Sequence, residues 1–325
     1  MDVSTSGSRT VLQFCALALI WGASFLFIKV AVAGISPVQV TLGRLLFGAM
    51  ALLVVMAATS SALPRGIASW AHLGVLSIVL CVIPFTAFAW AEQYVSSGLA
   101  SMYNATAPLM TMLVALLALP AERPTPPRLG GLGLGFGGVL LLLGPWRGLG
   151  SGELHAQGAC LLATLSYGVA YVYLRRFVSP LGLPAITVAT VQVGCGAAIM
   201  LLVTPWVATQ PMTLTPSVVL AVAALGVLGT GLAYVLNTNV VAAWGATNAS
   251  TVTYLTPVVG VALGIVVLGE RISWNEPLGA LLVVAGVVVG QGRPRQSVRF
   301  RHREQQRRVA TGVRYPPREQ PAPNS

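Results

Sequence analysis

The chain has 325 residues, of which 55% are hydrophobic and only 8% charged. Soluble domains carry about 25% charged residues, so this composition excludes a water-soluble globular protein. The charge that is present is basic, 19 Lys and Arg against 8 Asp and Glu, and it clusters between apolar runs and in the C-terminal tail. The apolar runs are long and continuous. A membrane β-barrel would instead show segments of about ten residues alternating in polarity, so the spans are expected to be helices. Residues 1–10 form a polar N-terminal lead. Ten spans are expected near 11–33, 37–59, 67–91, 98–119, 128–144, 153–175, 184–206, 216–236, 246–268 and 275–292. Phe177 to Gly269 contains no Lys, Arg, Asp or Glu. One span needs about 20 apolar residues, so that block must cross several times. Residues 293–325, rich in Arg, Pro and Gln, read as a disordered basic tail.

Two stretches are related. Gly98 to Arg123 reads GLASMYNATAPLMTMLVALLALPAER, and Ala246 to Arg271 reads ATNASTVTYLTPVVGVALGIVVLGER. Each opens with small and hydroxylated residues, carries a proline in mid-span (Pro108, Pro257) and closes on Glu-Arg (Glu122-Arg123, Glu270-Arg271). Gly131 and Gly138 answer Gly279 and Gly286 at an offset of 148. The chain therefore reads as a duplication. The first repeat covers 11–145 and the second 153–292, with five spans each. An odd number of spans makes the second repeat enter the membrane in the opposite sense, the inverted architecture of many secondary transporters. The expected fold is all-α and integral to the membrane, with ten transmembrane helices in two inverted five-helix repeats.

Lys and Arg give the orientation. With the N-terminus in the cytoplasm, the inner side receives Arg9, Arg65, Arg123, Arg128, Arg175, Arg176 and the nine arginines of the tail. The outer side receives Lys29, Arg44, Arg147 and Arg271. Both termini are expected in the cytoplasm, and the plasma (inner) membrane is the expected location. The basic tail suits attraction to anionic lipid headgroups; nucleic acid is not expected as a partner.

The stretch from Leu17 to Leu53, LALIWGASFLFIKVAVAGISPVQVTLGRLLFGAMALL, carries Trp21-Gly22-Ala23-Ser24-Phe25, Lys29, Pro37 and Arg44. Together with the segments ending at Glu122 and Glu270, it resembles the EamA-like branch of the drug/metabolite transporter superfamily over about residues 11–292. Gly269-Glu270 keeps the family's usual closing pair, whereas Pro120-Ala121-Glu122 departs from it. The resemblance implies ten helices, cytoplasmic termini, a central cavity between the halves, and export or exchange of small metabolites.

Ionisable residues within a membrane are costly and mark functional sites. Lys29, Arg44 and Glu92 are placed at similar depth near the outer side, with Glu92 expected to balance one or both cations. Trp21, Ser24, Trp90, Tyr103 and Asn104 in the first repeat, and Tyr167, Tyr171, Tyr234, Asn237, Asn248 and Tyr254 in the second, offer flat apolar faces and hydrogen-bonding groups. Those are what a pocket for a small molecule requires. Pro84, Pro108 and Pro257 interrupt spans and free carbonyls, so they are candidate hinges. The glycines of span 5 suit close helix packing, within the chain or between protomers of a homo-oligomer. No strand precedes them, so a nucleotide loop is excluded. Cys15, Cys81, Cys160 and Cys195 lie singly in apolar runs, and His72, His155 and His302 are scattered. No metal, cofactor or disulfide is expected. No nucleophile–base pair, paired carboxylates or His-Glu-x-x-His is present for a membrane enzyme.

The expected function is secondary transport, with export of small metabolites such as amino acids by alternating access. Drug efflux and metabolite exchange are the alternatives, and a channel or a membrane enzyme the remote ones. No ATP-binding loop is present. Proton coupling usually wants an intramembrane carboxylate, and only Glu92 approaches that position.

Overall fold

A computed structural model describes residues 3–119, 124–147, 151–208, 210–245 and 249–291. Ten helical spans follow one another: α1 Val3–Val32, α2 Pro37–Ala58, α3 Ile67–Ala91, α4 Ser97–Ala118, α5 Pro126–Leu143, α6 Gly152–Leu181, α7 Ala185–Val207, α8 Pro216–Trp244, α9 Val252–Leu268 and α10 Asn275–Gln291. Eight are long and apolar enough to cross a membrane, and α9 and α10 are shorter apolar helices. Large apolar side chains point outward along them, among them Val54, Leu117, Leu202 and Val266. In water that arrangement would be costly, whereas lipid accepts it. Exposed Trp70, Trp146, Trp206 and Trp274 lie at span ends, where indole rings sit at the membrane interface.

The duplication is visible in local defects. α3 holds a π-helical turn at Ile78–Val82 and α8 holds one at Val227–Leu232, an offset of 149 at their starts. Pro84 follows the first. α4 is interrupted between Ser97–Asn104 and Ala107–Ala118, with Pro108 opening its second segment. Pro257 lies inside α9. A proline cannot donate to the preceding turn, and a π turn leaves backbone groups to be paired otherwise.

One span limit differs from the sequence reading. α8 continues to Trp244 rather than stopping near 236. Its polar stretch Asn237-Thr238-Asn239 stays helical, and the Thr238 hydroxyl returns a hydrogen bond to the Tyr234 carbonyl at 2.8 Å. α9 runs from Val252 after a turn at Ser250–Thr251, while residues 246–248 of its expected start lie outside the described residues.

α5 and α10 cross most closely. A Cβ at Gly131 would stand 2.5 Å from the Gly286 carbonyl oxygen, and one at Gly138 would stand 2.7 Å from the Gly279 carbonyl oxygen. The repeated glycines thus bring corresponding helices of the two repeats together at backbone contact. Gly130, Gly133 and Gly137 face open space instead.

Candidate functional site

The N-terminus of α1 marks the near end of the bundle; the end of α1 at Val32 and the start of α2 mark the far end. The two repeats meet at Arg44 of α2, which is 8% exposed. Its Nε donates to the Thr230 hydroxyl at 3.1 Å, and its guanidinium carbon lies 3.7 Å from the centre of the Phe85 ring. Thr230 belongs to the π turn of α8 and donates to the Leu225 carbonyl at 3.3 Å. Phe85 stands just beyond the π turn of α3. One buried arginine therefore touches the π turn of the second repeat and the helix just beyond the π turn of the first. Tyr167, Tyr234, Cys81 and Glu92 lie within electrostatic range of it. The Tyr234 hydroxyl and the Cys81 thiol stand 3.9 Å apart, within hydrogen-bonding range for sulfur. Ser24 of α1 donates to the Ile20 carbonyl at 2.9 Å and faces Gly229.

At the far end, Lys29 of α1 donates to the carbonyl of Glu92, and to that of Val95 at 2.8 Å. These carbonyls close α3, where a cation complements the helix terminus. Lys29 thus meets Glu92 through the backbone, while both Glu92 carboxylate oxygens are buried without a hydrogen-bond partner. Glu270 supplies a second tie, described below from the side of α4. Ser97 donates to it from its N–H at 2.7 Å and from its hydroxyl at 3.0 Å, and the Gly98 N–H donates at 3.0 Å. Gly269 makes this reach possible. Its φ of +66° turns the chain back at the end of α9, and the Glu270 N–H bonds the Gly264 carbonyl at 3.0 Å. The loops join too, with Thr213 N–H to Gly34 carbonyl at 2.8 Å and Gln39 side chain to Gln210 carbonyl at 3.4 Å.

The remaining expected residues divide. Tyr167 joins the centre and packs on Phe88, ring centres 6.4 Å apart. Tyr171 and Asn237 lie on the near side of it in α6 and α8, the tyrosine exposed. Trp21 packs on Leu17, Ala18, Ala233 and Val252. Trp90 pairs with Tyr94 at 5.1 Å. Tyr103 is fully buried and donates to the Gln157 side-chain oxygen at 2.7 Å, beside half-buried Asn104. Tyr254 lies apart, against Leu109, Leu132 and Val287. Asn248 and Glu122 fall outside the described residues.

The model of one family, described as the EamA-like transporter family, matches this chain twice, over residues 8–144 and 156–289. The chain belongs to the EamA-like transporter family. It is a multi-pass membrane transporter, not an enzyme, and the double match coincides with the two repeats. Among EamA-like relatives, the uncharacterized transporter YdfC of Bacillus subtilis (strain 168) is 28% identical over 272 residues, 82% of this chain and 86% of its own. The uncharacterized inner membrane transporter YedA of Escherichia coli (strain K12) is 27% identical over 278 residues, 84% of this chain and 88% of its own. A solved crystal structure shares the fold with a TM-score of 0.61 and 21% identity, over 87% of this chain and 97% of that one.

Reading this EamA-like sequence missed Thr230, Phe85 and Gly229. Gly229-Thr230-Gly231, a hydroxyl between two glycines in an apolar span, was the available signal for an irregular turn. Nothing in the sequence pairs Arg44 with Thr230, 186 residues away.

Proposed function

We propose that this transporter exports small metabolites, amino acids or related compounds, across the plasma membrane by alternating access, with both termini in the cytoplasm. The observation that carries the reading is Arg44 held between the π turn of the second repeat and the helix just beyond the π turn of the first. A path that opens alternately to either side must be lined where the halves meet and hinged where they are irregular. Arg44, Ser24, Tyr167 and Tyr234 supply polar and aromatic groups there. The far-end ties of Lys29 and Glu270 act as the outer seal, and the charge bias supports an outward-facing position for that end. Pro84, Pro108 and Pro257 let the spans bend as the seal opens.

The test is a growth-inhibition screen in a sensitive bacterial host expressing the protein, with toxic amino-acid analogues, nucleobase analogues and cationic drugs. Trp21→Ala and Arg44→Ala are compared at equal expression. Resistance to an amino-acid analogue, lost in the variants, supports the reading. Resistance to cationic drugs alone replaces it with drug efflux, and resistance retained in both variants removes the site.

A further inference from the structure

Arg44 makes no direct ion pair among the described residues, although the buried Glu92 carboxyl attracts it from farther away. Among the described residues no carboxylate lies within 4.0 Å of its nitrogens. A cation at this depth in a membrane protein normally pairs with an acid, a carbonyl or a ligand. Thr230 is neutral, and Phe85 offers only a ring face.

The side chain is nevertheless fixed. Its Nε edge is held by Thr230 and one flat face is covered by Phe85. The two Nη groups make no hydrogen bond with the described residues, and the residue as a whole is only 8% exposed. Gly229 packs closely beside the Nη edge. A Cβ there would come 2.9 Å from the Ser24 hydroxyl and 3.9 Å from Nη2 of Arg44. Ser24 and Arg44 thus face one another across a position without a side chain. Tyr167 and Tyr234 complete the surroundings.

The geometry points to a binding site for the carboxylate of a small organic acid on the Nη edge of Arg44, with the Ser24 hydroxyl, whose proton goes to the Ile20 carbonyl, at its margin and the tyrosines against the organic body. A planar fork that presents two parallel N–H groups matches a carboxylate. The inference rests on the transporter reading and narrows its substrate to anions or zwitterions, because the charged group that would meet the ligand is the Arg44 cation. The repeat offset of 148 puts Gln192 where Arg44 would recur. The site therefore holds one charge, displaced from the pseudo-twofold axis, and takes one carboxylate at a time.

The experiment measures thermal stabilisation of the purified full chain in detergent at constant ionic strength. Its probes are matched pairs, benzoate with benzamide and phenylalanine with phenylalaninamide, with inorganic phosphate and tetraethylammonium alongside. The inference expects a saturable rise in melting temperature with a carboxylate and none with its amide or with tetraethylammonium. Arg44→Gln should weaken the apparent affinity on the order of tenfold or more, Gly229→Ala should weaken it by obstruction, and Thr230→Val should weaken it by releasing Nε. The last two keep the test decisive if Arg44→Gln does not fold. Stabilisation by both members of each pair, by tetraethylammonium, by phosphate alone, by none of the probes, or undiminished in all folded variants overturns it. Carboxylate binding without efflux from vesicles would retire the export reading and leave this site standing. Efflux of an amide or a cation would do the reverse.

Discussion

The Glu270 carboxylate caps the N-terminus of α4 at Ser97, with a backbone N–H at 2.7 Å and the serine hydroxyl at 3.0 Å. The first N–H groups of a helix have no partner within it, and the positive helix end favours an anion. Here the anion comes from the other repeat, 173 positions along the chain. The contact therefore stabilises α4 and joins the repeats at the same time. Gly264 contributes by having no side chain, since a Cβ there would collide with the carboxylate.

Loosening this contact should expose the far end. In a background without native cysteines, Val95→Cys, almost fully buried in the parent, should react faster with a membrane-impermeant maleimide when Glu270→Gln is added. The gain should be several-fold, since a charged hydrogen bond contributes about 1.5–3 kcal/mol. Unchanged labelling would mean that Glu270 has no part in closing that end.

The crossing of α5 and α10 makes a two-sided prediction. A Cβ at Gly286 would stand 2.5 Å from the Gly135 nitrogen and 2.6 Å from the Gly131 carbonyl oxygen, both rigid backbone atoms. Gly286→Val should lower the melting temperature of the purified protein, at a cost of about 1–3 kcal/mol or more for overpacking. Gly133→Ala and Gly137→Ala meet nothing within 4 Å and should be neutral or stabilising by up to about 1 kcal/mol, because alanine is the better helix former. Equal loss at all three positions would contradict the assigned crossing.

Glu92 follows α3 and predicts a pH dependence. Burial pushes its carboxyl well above the ordinary value of 4.5, with Lys29 opposing, Glu270 adding to the rise and Arg44 opposing more weakly. The folded protein therefore holds this proton more tightly than the unfolded chain. By linkage, the stability from the neutral form is complete below the ordinary value and lost as pH rises through the raised one. The midpoint of thermal inactivation should fall with rising pH over that window, and Glu92→Gln should flatten the fall. A Glu92→Gln profile parallel to the parent would show that another group governs it.

Lys29 tests whether a cation is needed at the end of α3. Lys29→Arg can still reach the carbonyls of Glu92 and Val95, whereas Lys29→Met cannot. At equal membrane expression, efflux should survive the first and fall about tenfold or more in the second, as expected for a lost charged hydrogen bond of 1.5–3 kcal/mol. Matching efflux in both would reduce Lys29 to a side chain reaching the lipid interface.

The fold was largely legible from the sequence, because lipid makes the coding simple. Length and apolarity define spans, and a 148-residue offset of glycines and prolines exposes the duplication. The site was legible in part. Lys29, Arg44 and Glu92 stand out because charge is rare in the spans, yet the sequence suggested that Glu92 balances the cations, while the structure joins Lys29 to its backbone. Side-chain partners depend on rotation about each helix axis, which apolar spans encode weakly. The end of α8 differs because the residue types of Asn237-Thr238-Asn239 do not reveal that the chain stays helical through them.

Counterflow in proteoliposomes tests the central claim most directly. Vesicles are preloaded with unlabelled members of an amino-acid and organic-acid panel and given trace labelled compound outside. The account predicts transient, saturable accumulation of at least one carboxylate-bearing compound, abolished by Arg44→Gln and weakened by Trp21→Ala. Flux that rises linearly with concentration, without counterflow and unaffected by either substitution, would contradict it.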